Sequence, residues 1–168
     1  MKTLSANAMK FLKICHILCG IMWIGGVMAL VSIMLGSHPT TPDQIYIATL
    51  DQLLIDEWFL IPGGIGIVIT SLVYSILTKW GFFKFRWITV KWFITIFLVI
   101  IGKAYMGVLI VSNMAYAERL INETLPYAPF YTNVQNVAIA GIIQLICFCI
   151  IIILSVIKPW NKPKKSTT

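Results

Sequence analysis

Charge is scarce in this sequence, and negative charge is scarcest: six acidic residues stand against 13 basic ones, and charged residues make up 11% of the 168. At 59% hydrophobic residues, too little polar surface remains to cover a water-soluble domain of this length, so lipid must be the solvent. No HExxH, CxxC, GxGxxG or P-loop signature occurs, which removes the zincin, thioredoxin-like, dinucleotide-binding and nucleoside-triphosphatase readings. The four cysteines, Cys15, Cys19, Cys147 and Cys149, fall inside apolar runs, where a thiol usually serves as a small apolar filler. No internal repeat is apparent.

What is abundant is apolar length. A bilayer core about 30 Å thick takes roughly 20 apolar residues at about 1.5 Å rise each. Four segments reach that length, residues 11–35, 59–78, 88–112 and 136–157, and predict a single all-α membrane domain, a four-transmembrane-helix bundle with a basic tail over 158–168. The first segment follows Lys2, Lys10 and Lys13 as a signal peptide would, but its apolar run is long and its cleavage site weak, so it is expected to stay as a helix.

The charges orient this bundle. Lys2, Lys10 and Lys13 precede helix 1; Lys79, Lys84, Arg86 and Lys91 surround the connection between helices 2 and 3; Lys158, Lys162, Lys164 and Lys165 follow helix 4. Together they are 11 of the 13 basic residues, and all fall on one side. The acids Asp43, Asp51, Asp56, Glu57, Glu118 and Glu123 all fall in the other two connections. A Lys/Arg excess marks the cytoplasmic side, which predicts both termini inside and the acidic loops outside, in a bacterial cytoplasmic (inner) membrane. The net charge of +7 is then a topological signal and an attraction to the lipid bilayer's anionic headgroups, with no nucleic-acid partner implied.

The connection between helices 1 and 2 carries structure of its own. Thr41-Pro42-Asp43-Gln44 reads as an N-cap, a proline at the first helical position and a Gln closing a capping box. The helix it starts either lies on the outer surface or runs into helix 2, where Pro62 and its neighbouring glycines permit a bend. Gly63, Gly66, Thr70 and Ser71 put small residues at helical spacing for close approach by a neighbour. Between helices 2 and 3, residues 79–87 alternate aromatic and basic side chains, the pattern of an interfacial anchor.

Four positions stand out as candidates for chemistry. His16 lies about 7 to 8 Å inside helix 1 by the helical rise, on one face with Cys19 and Trp23. An ionisable group at that depth is functional by default; a haem axial ligand, a proton relay and a neutral imidazole bonded to backbone all remain open. His38 is 22 positions further on, too far to share a metal with His16 in one chain. Lys91 sits near the depth of His16, placed either to snorkel or to pair with a carboxylate. Lys103 lies about 13 Å inside the outer end of helix 3 and calls for a partner or a wet cavity, with Asp56 or Glu57 the nearest carboxylates by topology. Gln144 and Asn136 suit interhelical hydrogen bonding.

Two spacings carry a resemblance. His16-x6-Trp23-x-Gly25-Gly26 in helix 1 and Trp87-x3-Lys91 at the start of helix 3 resemble the small four-helix bacterial membrane proteins that include the copper-resistance CopD domain and the HemJ-type protoporphyrinogen oxidases. Within that group, the chain length and the run from Asp56 to Pro62-Gly63-Gly64 look most like the DUF2269 family of integral membrane proteins. The resemblance implies a haem b or porphyrin site with His16 as the axial metal ligand and Lys91 as the helix 3 basic residue, and with it tetrapyrrole-linked redox chemistry. The HemJ-type proteins carry an arginine in outer helix 1 and further histidines in helix 3, where this chain has Ala29 to Leu35 and Lys103-Ala104-Tyr105; what carries over is tetrapyrrole binding more than the oxidase reaction. Two other readings compete: a small ion-coupled carrier, which with four helices would have to form a homo-oligomer, and a non-catalytic assembly subunit of a membrane complex.

Overall fold

The computed structural model describes residues 4–78 and 81–160, and all regular structure there is helical. Lys2, Lys79, Trp80, Lys162, Lys164 and Lys165, which entered the charge and anchor readings, lie outside the described residues. In chain order the elements are α1 (Ala6–Gly36), α2 (Pro42–Ile55), a π-helical turn (Asp56–Leu60), α3 (Ile61–Leu77), α4 (Arg86–Ile100), a second π-helical turn (Ile101–Met106), α5 (Gly107–Asn122) and α6 (Ala128–Ile157). Because the π turns interrupt hydrogen-bond register and not the chain's course, four continuous helices are long and apolar enough to cross a membrane: Ala6–Gly36, Pro42–Leu77, Arg86–Asn122 and Ala128–Ile157. The chain is a four-span, all-α membrane protein.

The spans exceed the apolar segments at one end. Helix 2 begins at Pro42 and not near 59, helix 3 runs to Asn122 and not 112, and helix 4 begins at Ala128 and not 136. Apolar length marks the part a bilayer requires, while the backbone ladder continues as long as one face finds a partner. Here that partner is a second small core beyond the main one, in which Ile45, Ala117, Leu120 and Phe130 are buried together. The helix starting at Pro42 therefore runs into helix 2, the second of the two courses its sequence allowed. Its cap forms as read: the Thr41 side chain accepts from Gln44 N–H at 3.3 Å, while Gln44 Oε1 accepts from Thr40 N–H at 2.9 Å, one residue earlier than in a strict capping box.

Each π turn has a local cause. In the first, Ile61 N–H reaches back five residues to Asp56 O. Pro62 follows at once; it lacks an N–H and its ring crowds the carbonyl four residues back, and the wider turn moves that carbonyl aside. In the second, Gly107 N–H bonds Gly102 O, again five residues back. There the Gln144 side chain from α6 donates to Leu98 O at 3.3 Å, an inserted amide that diverts the ladder just upstream.

Packing makes α1 the central helix, set between α3 and α6, while α6 also packs on α4. The α1–α3 seam is the tightest. A Cβ on Gly63 would stand 2.7 Å from Trp23 N, and one on Gly66 would overlap Cys19 Sγ. The small-residue face of helix 2 thus does what its spacing predicts, and Cys19 acts as a filler beneath it. Helices 2 and 3 behave differently. They pack closely through α2 and α5, then diverge beyond the π turns so that the α3 and α4 backbones stand apart. Their basic-end halves meet through a side-chain bond, Trp92 Nε1 donating to Ser75 Oγ at 3.3 Å, and Phe82 of the connection between them sets its ring beside Trp92 with centroids 5.5 Å apart. The two helices form arms that meet at an acidic apex and part toward the basic end, where a side-chain bond bridges them.

Candidate functional site

Two polar groups lie inside this frame, one at the basic end and one at the apex. At the basic end, α1 and α3 bring His16 against Thr70, with Nδ1 and Oγ1 2.8 Å apart. The Thr70 hydroxyl has one proton and lies 2.6 Å from Gly66 O and 3.1 Å from Ile67 O, both of which only accept. The hydroxyl proton goes to the helix carbonyl, so His16 donates from Nδ1 and keeps its lone pair on Nε2. Tyr74, one turn beyond Thr70, sets its ring edge-on to the imidazole with centroids 5.8 Å apart.

Lys91 enters the same end from α4. Its ammonium donates to Ser155 Oγ of α6 at 2.8 Å and stands 5.8 Å from the centre of the Trp87 ring. Both partners lie near the helix ends, Ser155 two residues before the end of α6 and Trp87 at the start of α4. His16 and Lys91 are close enough for the Lys91 charge to act on the imidazole, but no direct bond joins them and each has its own partner. The residues that hold them, Thr70 and Ser155, went unassigned in the sequence. Thr70 showed there as a small residue on a packing face, and nothing about Ser155 set it apart.

At the apex, Asp56 stands on the first π turn, 6% exposed. Its Oδ2 lies 3.9 Å from where a Gly107 Cβ would be, and Lys103 Cδ lies at the same distance from that point. Lys103 is thus beside Asp56, as topology suggested. The contact is not a closed ion pair, since Arg119–Glu123 at 2.9 Å is the one pair within 4.0 Å among the described residues. Gln144 Nε2 stands 3.2 Å from the Cβ position of Gly102, one π turn from Gly107 on the same ladder. The Gln144 bond to Leu98 O is the interhelical link its sequence position predicts, and a second amide link comes from Asn133, whose Nδ2 donates to Asn113 Oδ1 at 2.9 Å. Gln52, one turn before Asp56, is 1% exposed, and its Oε1 and that of Gln144 are buried without a partner, as is Asn113 Nδ2. The position of Gln52, four residues before an acid on a capped helix, was the available signal, and its apolar neighbours masked it.

Among the described residues no three His, Cys, Asp or Glu side chains gather into a metal-binding group. His16 lies in the first half of α1 and His38 lies two residues beyond its end, with unbroken helix from His16 to Gly36 between them.

A family model, DUF2269, described as a predicted integral membrane protein, matches residues 10–159, and the chain belongs to that family. No curated protein and no solved structure matches it.

Proposed function

We propose that this DUF2269 protein binds haem b or a related porphyrin at its basic end, where His16 Nε2 would be the chain's ligand to it and Lys91 the partner of a propionate. The observation that carries this reading is the His16–Thr70 hydrogen bond. A metal-binding imidazole almost always donates its other nitrogen to a fixed acceptor, and here Nδ1 is so held while Nε2 keeps its lone pair. The donor set also favours a macrocycle over a bare ion. A cage built from protein alone needs three or four ligands, which do not gather among the described residues, whereas a porphyrin brings four nitrogens and asks the chain for one.

Haem, when bound, supplies one-electron redox chemistry; the chain supplies position and charge. Thr70 fixes the tautomer and rotation of His16, the T-shaped contact with Tyr74 restricts its tilt, and Ser155 and Trp87 hold the Lys91 ammonium in place. Desolvation strengthens the attraction between that ammonium and a carboxylate relative to water. The reading includes the charge-based orientation, with this end on the cytoplasmic side of a bacterial inner membrane, where the ligand would meet its electron partner.

Protein purified in detergent from haem-replete cells, or titrated with hemin, is expected to show a Soret band that is lost in His16→Ala and weakened in Lys91→Met. A wild-type preparation that is colourless and also takes up no hemin overturns the proposal.

A further inference from the structure

We propose that Lys103 and Glu57 bind the headgroup of a phosphatidylethanolamine-type lipid in the leaflet away from the basic end, Lys103 taking the phosphate and Glu57, beside Asp56, the ammonium. Depth comes first. The second and third spans have 36 and 37 residues, so at about 1.5 Å per residue each is roughly 55 Å long, against about 30 Å of hydrocarbon. Both are anchored at the basic end, where Leu77 closes α3, Arg86 opens α4, and Phe83, Lys84 and Arg86 are exposed. About 20 residues cross the core, which brings helix 2 to Trp58 and helix 3 to Tyr105. These two are 68% and 46% exposed, and Trp and Tyr favour the headgroup level. The same count back from Ile157 on α6 reaches Ala138, beyond which stand Thr132, Asn133, Gln135 and Asn136. Both π turns therefore lie at the far boundary of the hydrocarbon, and Lys103 is only about 3 Å inside it, two residues short of Tyr105.

The charges at that level are unmatched. Glu57 and Lys103 are exposed, and neither makes an ion pair within 4.0 Å among the described residues. Asp56 joins them into one cluster. Its Oδ2 and Lys103 Cδ each lie 3.9 Å from the Cβ position of Gly107, Glu57 follows it in the chain, and the charges of Lys103 and Glu57 both act on its carboxylate. Asp56 is 6% exposed and is itself without an ion pair among the described residues. A carboxylate so far buried is costly unless a donor or a cation meets it.

The make-up of the cluster selects the headgroup. Its ammonium calls for an anion, and a lipid at this depth offers a phosphate ester. Two carboxylates to one ammonium leave negative charge in excess, which disfavours an anionic headgroup such as phosphatidylglycerol and suits one that brings its own cation. A primary ammonium donates N–H bonds to carboxylates, whereas the trimethylammonium of choline has none to give, so ethanolamine is the better match. Trp58 follows Glu57 and Tyr105 lies two residues after Lys103, which sets both amphipathic rings at the depth of the lipid's ester linkages.

The test is thermal unfolding of the full chain in detergent micelles that carry equal mole fractions of phosphatidylethanolamine, phosphatidylcholine or phosphatidylglycerol with the same acyl chains. Wild-type protein is expected to gain at least about 3 °C more in Tm from phosphatidylethanolamine than from either other lipid. Glu57→Gln and Lys103→Gln change exposed positions, so both are expected to fold, and each to lose that preference. A gain from another of the lipids that is as large overturns the proposal, as does an ethanolamine preference that either variant keeps. Soluble phosphoethanolamine is expected to give no comparable gain; an equal one would put the ligand in water and overturn the assignment to a lipid.

Discussion

One hydroxyl decides which imidazole nitrogen is available. Thr70 spends its proton on Gly66 O and receives from His16, so its effect on a ligand at Nε2 is indirect but sharp. Thr70→Val preserves shape and removes the acceptor. We expect it to weaken hemin binding about 10- to 100-fold, the usual consequence of losing an outer partner of a ligating histidine, while Thr70→Ser stays near wild type. Absorbance titration reads both, and equal affinity for wild type and Thr70→Val would show that the hydrogen bond is structural only. His16 was legible in the sequence because an ionisable residue deep in an apolar run is costly. Thr70 was not, because its role depends on the rotation of α3 against α1, which no single helix encodes.

At the level of the element, glycines with the same composition signal have opposite consequences. Gly63 sits against the Trp23 backbone, which cannot retreat without moving a helix, so Gly63→Ala is expected to cost about 1–3 kcal/mol. Gly25 has nothing within 4 Å of its Cβ position, and Gly25→Ala is expected to be neutral or to stabilise by up to about 1 kcal/mol through helix propensity. Thermal unfolding of the two variants side by side separates packing from propensity. The small-residue face was readable from spacing alone. The π turns were not: Pro62 announced a bend, but a register change of one residue leaves apolar averages untouched, and the second turn arises from Gln144, which is distant in sequence. Since a π turn equals one inserted residue, deleting the exposed Trp58 should restore an ordinary helix and shift Tm by no more than about 5 °C.

For the molecule as a whole, the number of spans followed from apolar length, and the ends of helices 2, 3 and 4 on the acidic side were underestimated because amphipathic continuation carries no strong hydropathy signal. Orientation rests on the charge asymmetry. In a cysteine-free background, a single cysteine replacing exposed Asp43 or Glu123 is expected to react with an impermeant maleimide added outside spheroplasts, and one replacing exposed Lys84 only after lysis. The reverse pattern would invert the bundle and put the basic end outside.

The parting of α3 from α4 also bears on how a guest arrives. Both helices belong to membrane-spanning segments, so in a bilayer the separation between their backbones would border acyl chains. A flat amphiphile dissolved in the leaflet can slide in edge first without desolvating from the aqueous phase, so the concentration that governs occupancy is its membrane partition and not its solubility. Uptake would then track the amount of ligand per lipid, and diluting the vesicles at fixed total ligand would matter less than adding empty bilayer.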